Sequence, residues 1–431
     1  MNKLPKIREM YITPIAISDP PLLNAAGLHA PYALRTVIEL VTEDNISGIS
    51  EIPGSKAVND ALETIRDIII GTDPFQLNRI LETLKSRFSD EGDQRGDQPW
   101  DKRKLVHIFS AIEVACLDII GKLCNRPIVD LLGGKCRDKV PFAAYLFYKQ
   151  EGAGGTFGFN KDPDAEGWAE IRQEKALNPD EIVMQAKAMC KEYGFKSIKL
   201  KGGVFHPEEE ANAIIALRKE FGQDIPLRLD PNALWQVDTA IKYGKKLEGI
   251  LEYLEDPVRG QGNMAVVRKN LNTPLATNMC TTSFEDLPGS IETGSEDIIL
   301  CDHHFWGGLR SCLQLSRLAI TFQRSLSMHS NSHLGISLAA MVHLGAAIPN
   351  LDYALDTHYP WQSEEIIEEG PFKFDGGSLA IPQGPGLGVT LDRKSVAILH
   401  ERYLRCGLTE RNDEIEMQKK QPGWKFKPTR W

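Results

Sequence analysis

Seven polar side chains recur at nearly even spacing in the second half of the chain. Steps of 29, 25, 23, 24, 27 and 27 residues separate them: Lys201, Asp230, Glu255, Asn278, Asp302, His329 and Asp356. Each follows a short apolar run, and one strand plus one helix fills such a step. In a parallel β/α barrel the carboxyl ends of the strands face one pocket, where these groups would converge. The alternative, that Asp and Asn simply begin polar turns, accounts poorly for the lysine and the histidine.

Three consecutive members of this series offer oxygen ligands. Asp230, Glu255 and Asn278 come from successive predicted strands, so their oxygens can meet around one ion. All-oxygen ligation with room for water or substrate oxygens is typical of Mg²⁺. The trio contains no histidine or cysteine, which disfavours zinc. Two carboxylates and an amide leave the site formally neutral, and this favours acceptance of a substrate carboxylate.

A lysine pair precedes the first of these ligands. Lys199 and Lys201 are two residues apart in a predicted strand and therefore face the same side. We expect like charges at this separation to lower the pKa of each lysine, which suits one amine to act as a base near neutral pH. The alternative is a solvent-facing pair at a strand edge, but Gly202 and Gly203 follow directly and indicate the end of the strand.

Asp302 and His329 end successive predicted strands. A carboxylate bonded to one imidazole nitrogen fixes the tautomer and raises the basicity of the other nitrogen. The histidines at 206, 303, 304, 333, 343 and 358 are not expected to have this arrangement, although His358 follows the next strand and is a candidate to touch substrate. Lys201 and His329 are thus candidate bases for removing a proton beside a carboxylate, with the enediolate stabilised by Mg²⁺ and Lys199.

Eight short apolar runs predict the strands that position these groups. They are 140–147, 197–201, 226–230, 251–256, 275–279, 298–302, 325–329 and 352–357. Between them, runs such as 207–221, 239–250, 310–322 and 336–348 repeat apolar residues every three or four positions, as a helix with one buried face requires. This alternation predicts a parallel β/α barrel. A doubly wound open sheet is the alternative, but the chain lacks the glycine fingerprint such a sheet uses for a dinucleotide.

The remaining segments have different patterns. Alternation in 36–45 predicts antiparallel strands and 107–123 predicts an amphipathic helix, so residues 1–135 are expected to form an α+β capping domain beside a barrel at 136–390. Residues 391–431 begin as a helix and are expected to pack on the capping domain. The loop 149–177, rich in glycine and charge, is expected to be mobile and to cover the site. Asn178 and Pro179 then predict a helix start.

Composition disfavours several classes of partner. The 431 residues include 50 basic and 59 acidic side chains, a net charge of −9, and the charges are interspersed. Nucleic-acid and anionic-membrane partners are therefore not expected. Apolar runs are too short for a membrane span or a signal peptide, and the eight cysteines form no Cys-x-x-Cys pair. We expect a cytoplasmic protein with reduced cysteines that forms homo-oligomers, as barrels commonly do.

Short motifs occur in a characteristic order along nearly the whole chain. They are Asn24-x-x-Gly-x-His29, Ser50-Glu-Ile-Pro-Gly54, Lys199-Leu-Lys-Gly-Gly203, Leu229-Asp-Pro-Asn232, Glu255-Asp-Pro257, Ala276-Thr-Asn-Met279, Asp302-His-His-Phe-Trp306, Met328-His-Ser-Asn331 and Gln421-Pro-Gly-Trp424. Together they resemble the D-glucarate dehydratases, a branch of the mandelate racemase type of the enolase superfamily. Among these motifs, Asn278 is the residue that points most specifically to this branch, because most relatives carry an acid at that position.

The resemblance implies a (β/α)7β TIM-like barrel, with a capping domain built from the N-terminal region and the C-terminal tail. It implies Mg²⁺ on Asp230, Glu255 and Asn278, bases at Lys201 and at an Asp302-oriented His329, and a substrate carboxylate on Lys199. The implied substrate contacts are Asn24, His29, Tyr145, Lys199, Asn232, Asn278, Ser330, Asn331, His358 and Arg411. The family reaction dehydrates D-glucarate, or its C5 epimer L-idarate, to 5-dehydro-4-deoxy-D-glucarate.

Two departures from the family pattern leave the substrate open. Lys104-Leu105 stands where the family has threonines at a substrate-facing position, and the loop 149–177 differs in sequence. Both border the distal end of the substrate, so one alternative is a dehydratase of a different diacid sugar such as galactarate. A second alternative is a weakly active relative that serves as an assembly subunit for a true dehydratase. A purely structural role leaves Lys201 and His329 unexplained.

Overall fold

Strands and helices alternate along most of the chain, as the apolar pattern predicts. The structure, a computed structural model, describes residues 5–29, 31–88, 95, 101 and 103–431. In these residues the strands are β1 (Ile7–Ser18), β2 (Leu23–Asn24), β3 (Gly27–Leu28), β4 (Tyr32–Thr42), β5 (Ser47–Pro53), β6 (Lys139–Pro141), β7 (Ala144–Phe147), β8 (Ile198–Lys201), β9 (Leu227–Asp230), β10 (Tyr253–Glu255), β11 (Leu275–Thr277), β12 (Ile298–Cys301), β13 (Ser325–Met328) and β14 (Ser378–Ala380). The helices are α1 (Lys56–Glu63), α2 (Arg66–Ile69), α3 (Leu77–Arg87), α4 (Lys104–Cys124), α5 (Ile128–Leu131), α6 (Trp168–Ile171), α7 (Pro179–Tyr193), α8 (Pro207–Phe221), α9 (Val237–Lys246), α10 (Gln261–Asn270), α11 (Leu287–Thr293), α12 (Leu309–Thr321), α13 (Gly335–Ala347), α14 (Arg393–Cys406) and α15 (Asp413–Lys420). Of the helices in this described part, none is both long and apolar enough to cross a membrane.

A three-stranded antiparallel sheet forms the centre of the N-terminal region. β4 pairs with β1 on one side and with β5 on the other, which confirms the antiparallel strands predicted from 36–45. Helix α4 packs closely on this sheet, because Gly48 has no Cβ; a Cβ there would lie 2.1 Å from the main-chain oxygen of Ala115. Residues 107–121 of α4 are all buried, so the prediction of an amphipathic helix is wrong. The reason is that β4, β5, α1, α3, α5 and α12 surround it.

Seven parallel strands, β7 to β13 in sequence order, curl to form the wall of the barrel. The enolase-type capped barrel predicted from the sequence is therefore confirmed, but the eighth predicted strand, 352–357, is not regular. Leu351 forms a bridge with Leu326 of β13, and Leu355 forms one with Phe142 just before β7. An irregular segment thus joins the two edge strands.

Side chains from β9 and β13 bond to this segment and explain why it is irregular. The main-chain oxygen of Ala354 accepts hydrogen bonds from Arg228 Nη1 at 2.7 Å and from Ser327 Oγ at 3.0 Å. That oxygen is therefore engaged by side chains, in place of the N–H of an adjacent strand. Apolar periodicity in the sequence does not report such side-chain competition.

The first predicted strand, 140–147, divides into two. β6 pairs antiparallel with β14, which comes after β13 in the sequence, and only β7 joins the barrel wall. Val140 of β6 and all residues from 142 to 147, which include β7, are buried. The apolar pattern therefore continues across the break between the two strands and gives no sign of it.

The C-terminal segment contacts both the N-terminal region and the barrel. Helix α14 packs on β1, and α15 packs on β3. Farther along, Arg430 Nη2 donates to the main-chain oxygen of Ala25 at 2.6 Å, and the Arg430 main-chain N–H donates to Leu234 at 2.9 Å. Leu234 lies in the loop that follows Asp230. The tail therefore lies beside the carboxyl end of the barrel strands, which we call the mouth.

Asn178 caps helix α7 as predicted. Its Oδ1 accepts the main-chain N–H of Glu181 at 3.0 Å, and Pro179 occupies the first turn. We expect Asn178→Ala to lower the free energy of unfolding by about 0.5–2 kcal/mol, because that N–H loses its acceptor. Asn178→Asp keeps an oxygen at this point and should lose much less. Chemical denaturation of both variants would check this, and equal losses would contradict the capping role.

Candidate active site

The lysine pair and the first two acidic residues come from three adjacent strands. Lys199 and Lys201 lie on β8, and the register of β8 with β9 sets Lys201 opposite Asp230. Glu255 is the last residue of β10. Because side chains alternate along a strand, both lysines face the barrel interior, where they meet the acidic residues.

Lys199 is fully buried among carboxylates. Its Nζ lies 2.5 Å from Asp356 Oδ2, 2.5 Å from Glu255 Oε2 and 4.0 Å from Asp230 Oδ2. Burial favours the neutral amine, but Asp356 and Glu255 outweigh it and raise the pKa of Lys199 well above its usual value. The prediction that the lysines lower each other's pKa is therefore wrong for Lys199. This residue provides a fixed positive charge.

Lys201 is the lysine that reaches toward the open mouth. Its side chain is 11% exposed, against 0% for Lys199, and its Nζ donates to Asp230 Oδ2 at 2.6 Å. Burial of Asp230 is outweighed by the two lysines, so the pKa of this carboxyl is lowered and it is ionised. Asn232 lies beside it in a left-handed conformation with φ of 56°, and its main-chain N–H donates to Asp230 Oδ1 at 2.8 Å.

Asn278 and Asp256 lie on the other side of Glu255. Asn278 Nδ2 donates to Glu255 Oε1 at 3.0 Å, and the Asn278 main-chain N–H donates to Asp256 Oδ2 at 2.8 Å. Burial, reinforced by the charge of Asp230, raises the pKa of Asp256 to about 6. Asp256 was missed in the sequence, although it directly follows Glu255 and holds the main chain of Asn278.

The three predicted metal ligands fit a magnesium ion. Asp230 and Glu255 converge on Lys199, and Asn278 contacts Glu255, so three oxygen-bearing side chains meet. Burial, opposed by Lys199 and reinforced by Asp230, raises the pKa of Glu255 well above its usual value. Among the described residues no aligned hydrogen bond reaches Glu255 Oε2. A divalent cation would compensate this crowded negative charge, and oxygen donors suit Mg²⁺.

His329 and Asp302 form the predicted pair. His329 Nδ1 lies 3.2 Å from Asp302 Oδ2, and the imidazole is 16% exposed. Burial lowers the pKa of His329, Asp302 opposes this, and the charges of Lys199 and Lys201 lower it further. Both lysines therefore act on His329 across one site. The structure brings the two candidate bases to the same mouth of the barrel.

His304 is a second partner of Asp302. Its Nδ1 lies 2.8 Å from Asp302 Oδ1, and its main-chain N–H donates to the same oxygen at 2.9 Å. The prediction that only His329 has a carboxylate partner of this kind is therefore wrong. The signal was available, because the pattern Asp302-x-His304 allows an aspartate to accept hydrogen bonds from the residue two positions later.

Three of the implied substrate contacts form an aromatic and hydroxyl wall. Tyr145 lies with its ring 4.8 Å from Lys199 Nζ and 4.9 Å from the His358 ring. His358 Nδ1 is 3.2 Å from Ser330 Oγ, which also accepts the His358 main-chain N–H at 3.0 Å. Burial, followed by the charges of neighbouring histidines, lowers the pKa of His358 well below its usual value. Neutral His358 can accept a hydrogen bond from a hydroxyl or donate one to it.

Asn331 connects this wall to a buried arginine. Its Oδ1 accepts a hydrogen bond from Arg35 Nη1 at 2.8 Å. Its Nδ2 is buried and has no hydrogen-bond partner in the described part of the chain. An unused amide donor of this kind is suited to a substrate oxygen.

The remaining implied contacts gather around Asp413, which the sequence did not suggest. Asp413 accepts hydrogen bonds from Asn24 Nδ2 at 2.6 Å and from Arg411 Nε at 2.6 Å. His29 Nε2 lies 3.3 Å from the same carboxylate. An electrostatic interaction with His29 contributes to the lowered pKa of His358, so this cluster adjoins the wall described above. Asp413 belongs to α15 and was missed because two of its partners, Asn24 and His29, lie near the other end of the chain, a separation of 389 residues for Asn24.

The loop 149–177 contacts the segment that follows the aromatic and hydroxyl wall of Tyr145, Ser330 and His358. Trp168 Nε1 donates to the main-chain oxygen of Pro360 at 2.6 Å. Trp361 Nε1 in turn donates to the main-chain oxygen of Tyr145 at 2.8 Å. The loop thus contacts the segment after His358, and its mobility stays a prediction.

Two cavities differ in their relation to the predicted residues. A small cavity between Asn278 and His329 is also lined by Asp302 and Arg95, and Arg95 Nη1 donates to the Asn278 main-chain oxygen at 2.6 Å. A cavity of about 550 Å³ lies beside the loop 149–177 and is lined by Trp168 and other residues outside the predicted site. The small cavity is the candidate opening of the active site, because the predicted site residues Asn278, Asp302 and His329 line it.

Two family models match the chain. Residues 16–133 match the mandelate racemase / muconate lactonizing enzyme N-terminal domain, and residues 181–395 match the enolase C-terminal domain-like family. A probable glucarate dehydratase of Streptomyces coelicolor is 43% identical over 430 residues, which cover 97% of each chain. The chain belongs to the enolase superfamily. Within this superfamily, the resemblance inferred from the motifs is confirmed.

Other members of the enolase superfamily extend the comparison. An L-talarate/galactarate dehydratase of Salmonella typhimurium is 26% identical over 88% of this chain and 86% of its own. An enolase of Pseudomonas fluorescens, solved with bound magnesium, potassium and tartrate, has a TM-score of 0.90 and 42% identity over 99% of each chain. These relatives support a hydro-lyase that acts on a sugar acid, in a family whose structures include magnesium complexes.

Proposed function

We propose that this enzyme removes water from a sugar diacid in a Mg²⁺-dependent reaction. The proposed substrates are D-glucarate and its C5 epimer L-idarate, and the product is 5-dehydro-4-deoxy-D-glucarate. The observation that carries the proposal is the pair of bases, Lys201 beside Asp230 and His329 beside Asp302, around one group of oxygen ligands. The 43% identity to the probable glucarate dehydratase supports the choice of substrate.

In the proposed reaction, the two bases, Lys199 and the metal ligands have separate roles. Lys201 or His329 takes the proton from the carbon beside the substrate carboxylate, according to the configuration of that carbon. Lys199 contributes fixed positive charge near that carboxylate. Mg²⁺ held by Asp230, Glu255 and Asn278 would add the positive charge that stabilises an enediolate.

Elimination completes the reaction. The hydroxyl on the next carbon takes a proton from one of the two bases in its protonated form and leaves as water. The remaining enol takes up a proton at carbon, releases its hydroxyl proton and becomes the keto acid. No oxidant or reductant is needed, and one water is lost for each diacid consumed.

A different diacid sugar is the second candidate substrate. Lys104 begins helix α4 directly after Arg103, whose Nη2 donates to the main-chain oxygen of Phe305 at 2.9 Å. The Phe305 ring lies 5.3 Å from the His329 ring. The departure at Lys104-Leu105 therefore directly follows a residue bonded to the neighbour of His329, and we take it to bear on the distal end of a substrate. A galactarate-type diacid remains the matching alternative.

The pH dependence of kcat/KM should reflect the state of His329. Burial lowers its pKa below the usual 6.5, with Asp302 opposing and the two lysines reinforcing the shift. A base must be neutral, so activity that requires His329 should persist as the pH falls through 6.5 and decline only below the lowered pKa. A pH series on the epimer that depends on His329 checks this. Loss of kcat/KM that begins above the usual histidine pKa would contradict it.

A panel of stereoisomeric sugar diacids tests the proposed function. Purified protein with Mg²⁺ should form keto acid from D-glucarate and L-idarate, lose this activity with a chelator and recover it with added Mg²⁺. Turnover of galactarate alone would favour the second candidate, and turnover of no diacid would contradict both. Activity that appears only on mixing with a related chain would indicate an assembly subunit. Light scattering on the same sample tests our proposal of a homo-oligomer, and cell fractionation tests a cytoplasmic location.

A further inference from the structure

Asp302 binds two histidines, one on each carboxylate oxygen. Its Oδ2 lies 3.2 Å from His329 Nδ1, and its Oδ1 lies 2.8 Å from His304 Nδ1. Oδ1 also accepts the His304 main-chain N–H at 2.9 Å. Asp302 is only 3% exposed, so water does not compete for these positions. Rotation of the carboxylate would disrupt both contacts from His304, and His304 therefore decides which oxygen faces His329.

The other edge of the His304 ring lies against the capping region. His304 Nε2 is 3.0 Å from the main-chain oxygen of Glu51 and 3.0 Å from Ser337 Oγ. Ser337 Oγ donates to the same Glu51 oxygen at 2.9 Å. Arg35, which donates to Glu51 Oε1 at 2.8 Å, approaches Nε2 at 3.4 Å. The His304 ring is thus held between strand β5 and Asp302, and contacts at both ring nitrogens oppose its rotation.

We propose that His304 is a positioning residue that sets the tautomer of His329 through Asp302. Two donors from His304 occupy Oδ1, so Oδ2 accepts from His329 Nδ1 and the proton stays away from His329 Nε2. That second nitrogen is the one free to act as a base. The catalytic consequence rests on the proposed function, whereas the effect on the tautomer of His329 does not.

A merely structural role for His304 predicts a different response to substitution. A histidine that only fills the core depends on its size and on the contacts at both ring nitrogens. A positioning role depends on the donor at Nδ1. His304→Asn keeps an amide N–H near the Nδ1 position, whereas His304→Gln moves it toward the Nε2 position and removes the donor to Asp302. The two substitutions therefore form a matched pair.

Nuclear magnetic resonance measures the tautomer directly. Long-range ¹H–¹⁵N spectra of protein labelled at histidine report which ring nitrogen carries the proton, and His329→Asn identifies the signals of His329. We expect Nδ1 to be protonated in the wild type and in His304→Asn, and a mixture of tautomers in His304→Gln. A wild-type tautomer in folded His304→Gln would overturn the proposal.

A second variant covers the case in which His304→Gln does not fold. Ser337→Ala removes one contact from the Nε2 edge and leaves the His304 ring in place. We expect a fraction of the wrong His329 tautomer to appear in this variant, smaller than that expected for His304→Gln, because the His304 ring is held less firmly than in the wild type. An unchanged tautomer in Ser337→Ala would overturn the proposal in that case.

Kinetics separate positioning from general damage. We expect His304→Gln to lower kcat about 10- to 100-fold with little change in KM, and His304→Asn to recover most of the loss. In D₂O, α-proton exchange with the epimer that requires His329 should fall by the same factor, while exchange with the epimer that requires Lys201 should not. Equal losses for both epimers would overturn the proposal. A wild type inactive on every diacid would contradict the proposed function, and the tautomer spectra would still decide the role of His304.

Discussion

Lys201→Ala and His329→Ala should each lower kcat for diacid dehydration by about two to four orders of magnitude. Lys201 Nζ is held 2.6 Å from Asp230, and His329 Nδ1 is held 3.2 Å from Asp302, so each is presented by its own carboxylate. Neither base replaces the other, because they approach the reacting carbon from different strands. Steady-state formation of keto acid at saturating Mg²⁺ provides the measurement.

Conservative substitutions separate the base from its contacts. Lys201→Arg keeps a cation beside Asp230, but a guanidinium does not lose its proton. His329→Asn keeps an amide donor toward Asp302 but has no basic nitrogen. Both should be as inactive as the alanine variants, with exchange of the α-proton retained for the epimer served by the remaining base. Near wild-type kcat in Lys201→Arg or His329→Asn would rule out the assigned roles.

Arg35→Met should lower the free energy of unfolding by about 3–5 kcal/mol, since it leaves a buried carboxylate without its cation. Arg35 is 1% exposed, and its Nε donates to Glu51 Oε1 at 2.8 Å. The same guanidinium donates to Asn331 Oδ1 at 2.8 Å and to Ser337 Oγ at 3.0 Å. These contacts join the capping sheet to the residues after β13. Chemical denaturation of the variant and the wild type measures the loss.

A surface ion pair supplies the control. The Arg405 side chain is 81% exposed and pairs with Glu401, whose side chain is 62% exposed. Arg405→Met should lose less than about 1 kcal/mol, because solvent screens an exposed pair. The double variant Arg35→Met with Glu51→Leu should recover only part of the stability, since the main-chain N–H groups of Leu334 and Ser337 lose Glu51 as an acceptor. A loss for Arg35→Met as small as that for Arg405→Met would contradict the buried role.

Regular apolar periodicity made the barrel strands and their helices predictable. The run 207–221 coincides with α8, and the runs from 197 to 329 contain β8 to β13 within one or two residues. The segment 352–357 failed because side chains of Arg228 and Ser327 take the main-chain oxygen of Ala354. Burial of α4 on all sides also escaped prediction, because it depends on neighbours that the helix's own sequence does not contain.

Strand-end spacing was enough to bring the ionisable groups of the site together. It did not identify partners contributed by distant segments. Asp413, for example, accepts hydrogen bonds from Asn24, at the other end of the chain, and from Arg411. The spacing also gave the wrong sign for the pKa of Lys199, since the charge of Asp356 arrives from a segment 157 residues away. Spacing along a chain reports which end of a barrel a side chain faces, whereas charge balance depends on every strand that faces the same interior.

An irregular segment closes the seam between β13 and β7. Leu351 bridges Leu326 of β13, Leu355 bridges Phe142 just before β7, and the same stretch carries Asp356, the neighbour of Lys199. Transient opening there should require less free energy than opening a fully paired strand. Amide hydrogen exchange is therefore expected to be faster at 351–356 than in β8 or β9 in the free enzyme, and to slow when an acid sugar is bound. Slower exchange on binding would show that occupancy of the proposed site is coupled to the integrity of the barrel wall through one short stretch of backbone.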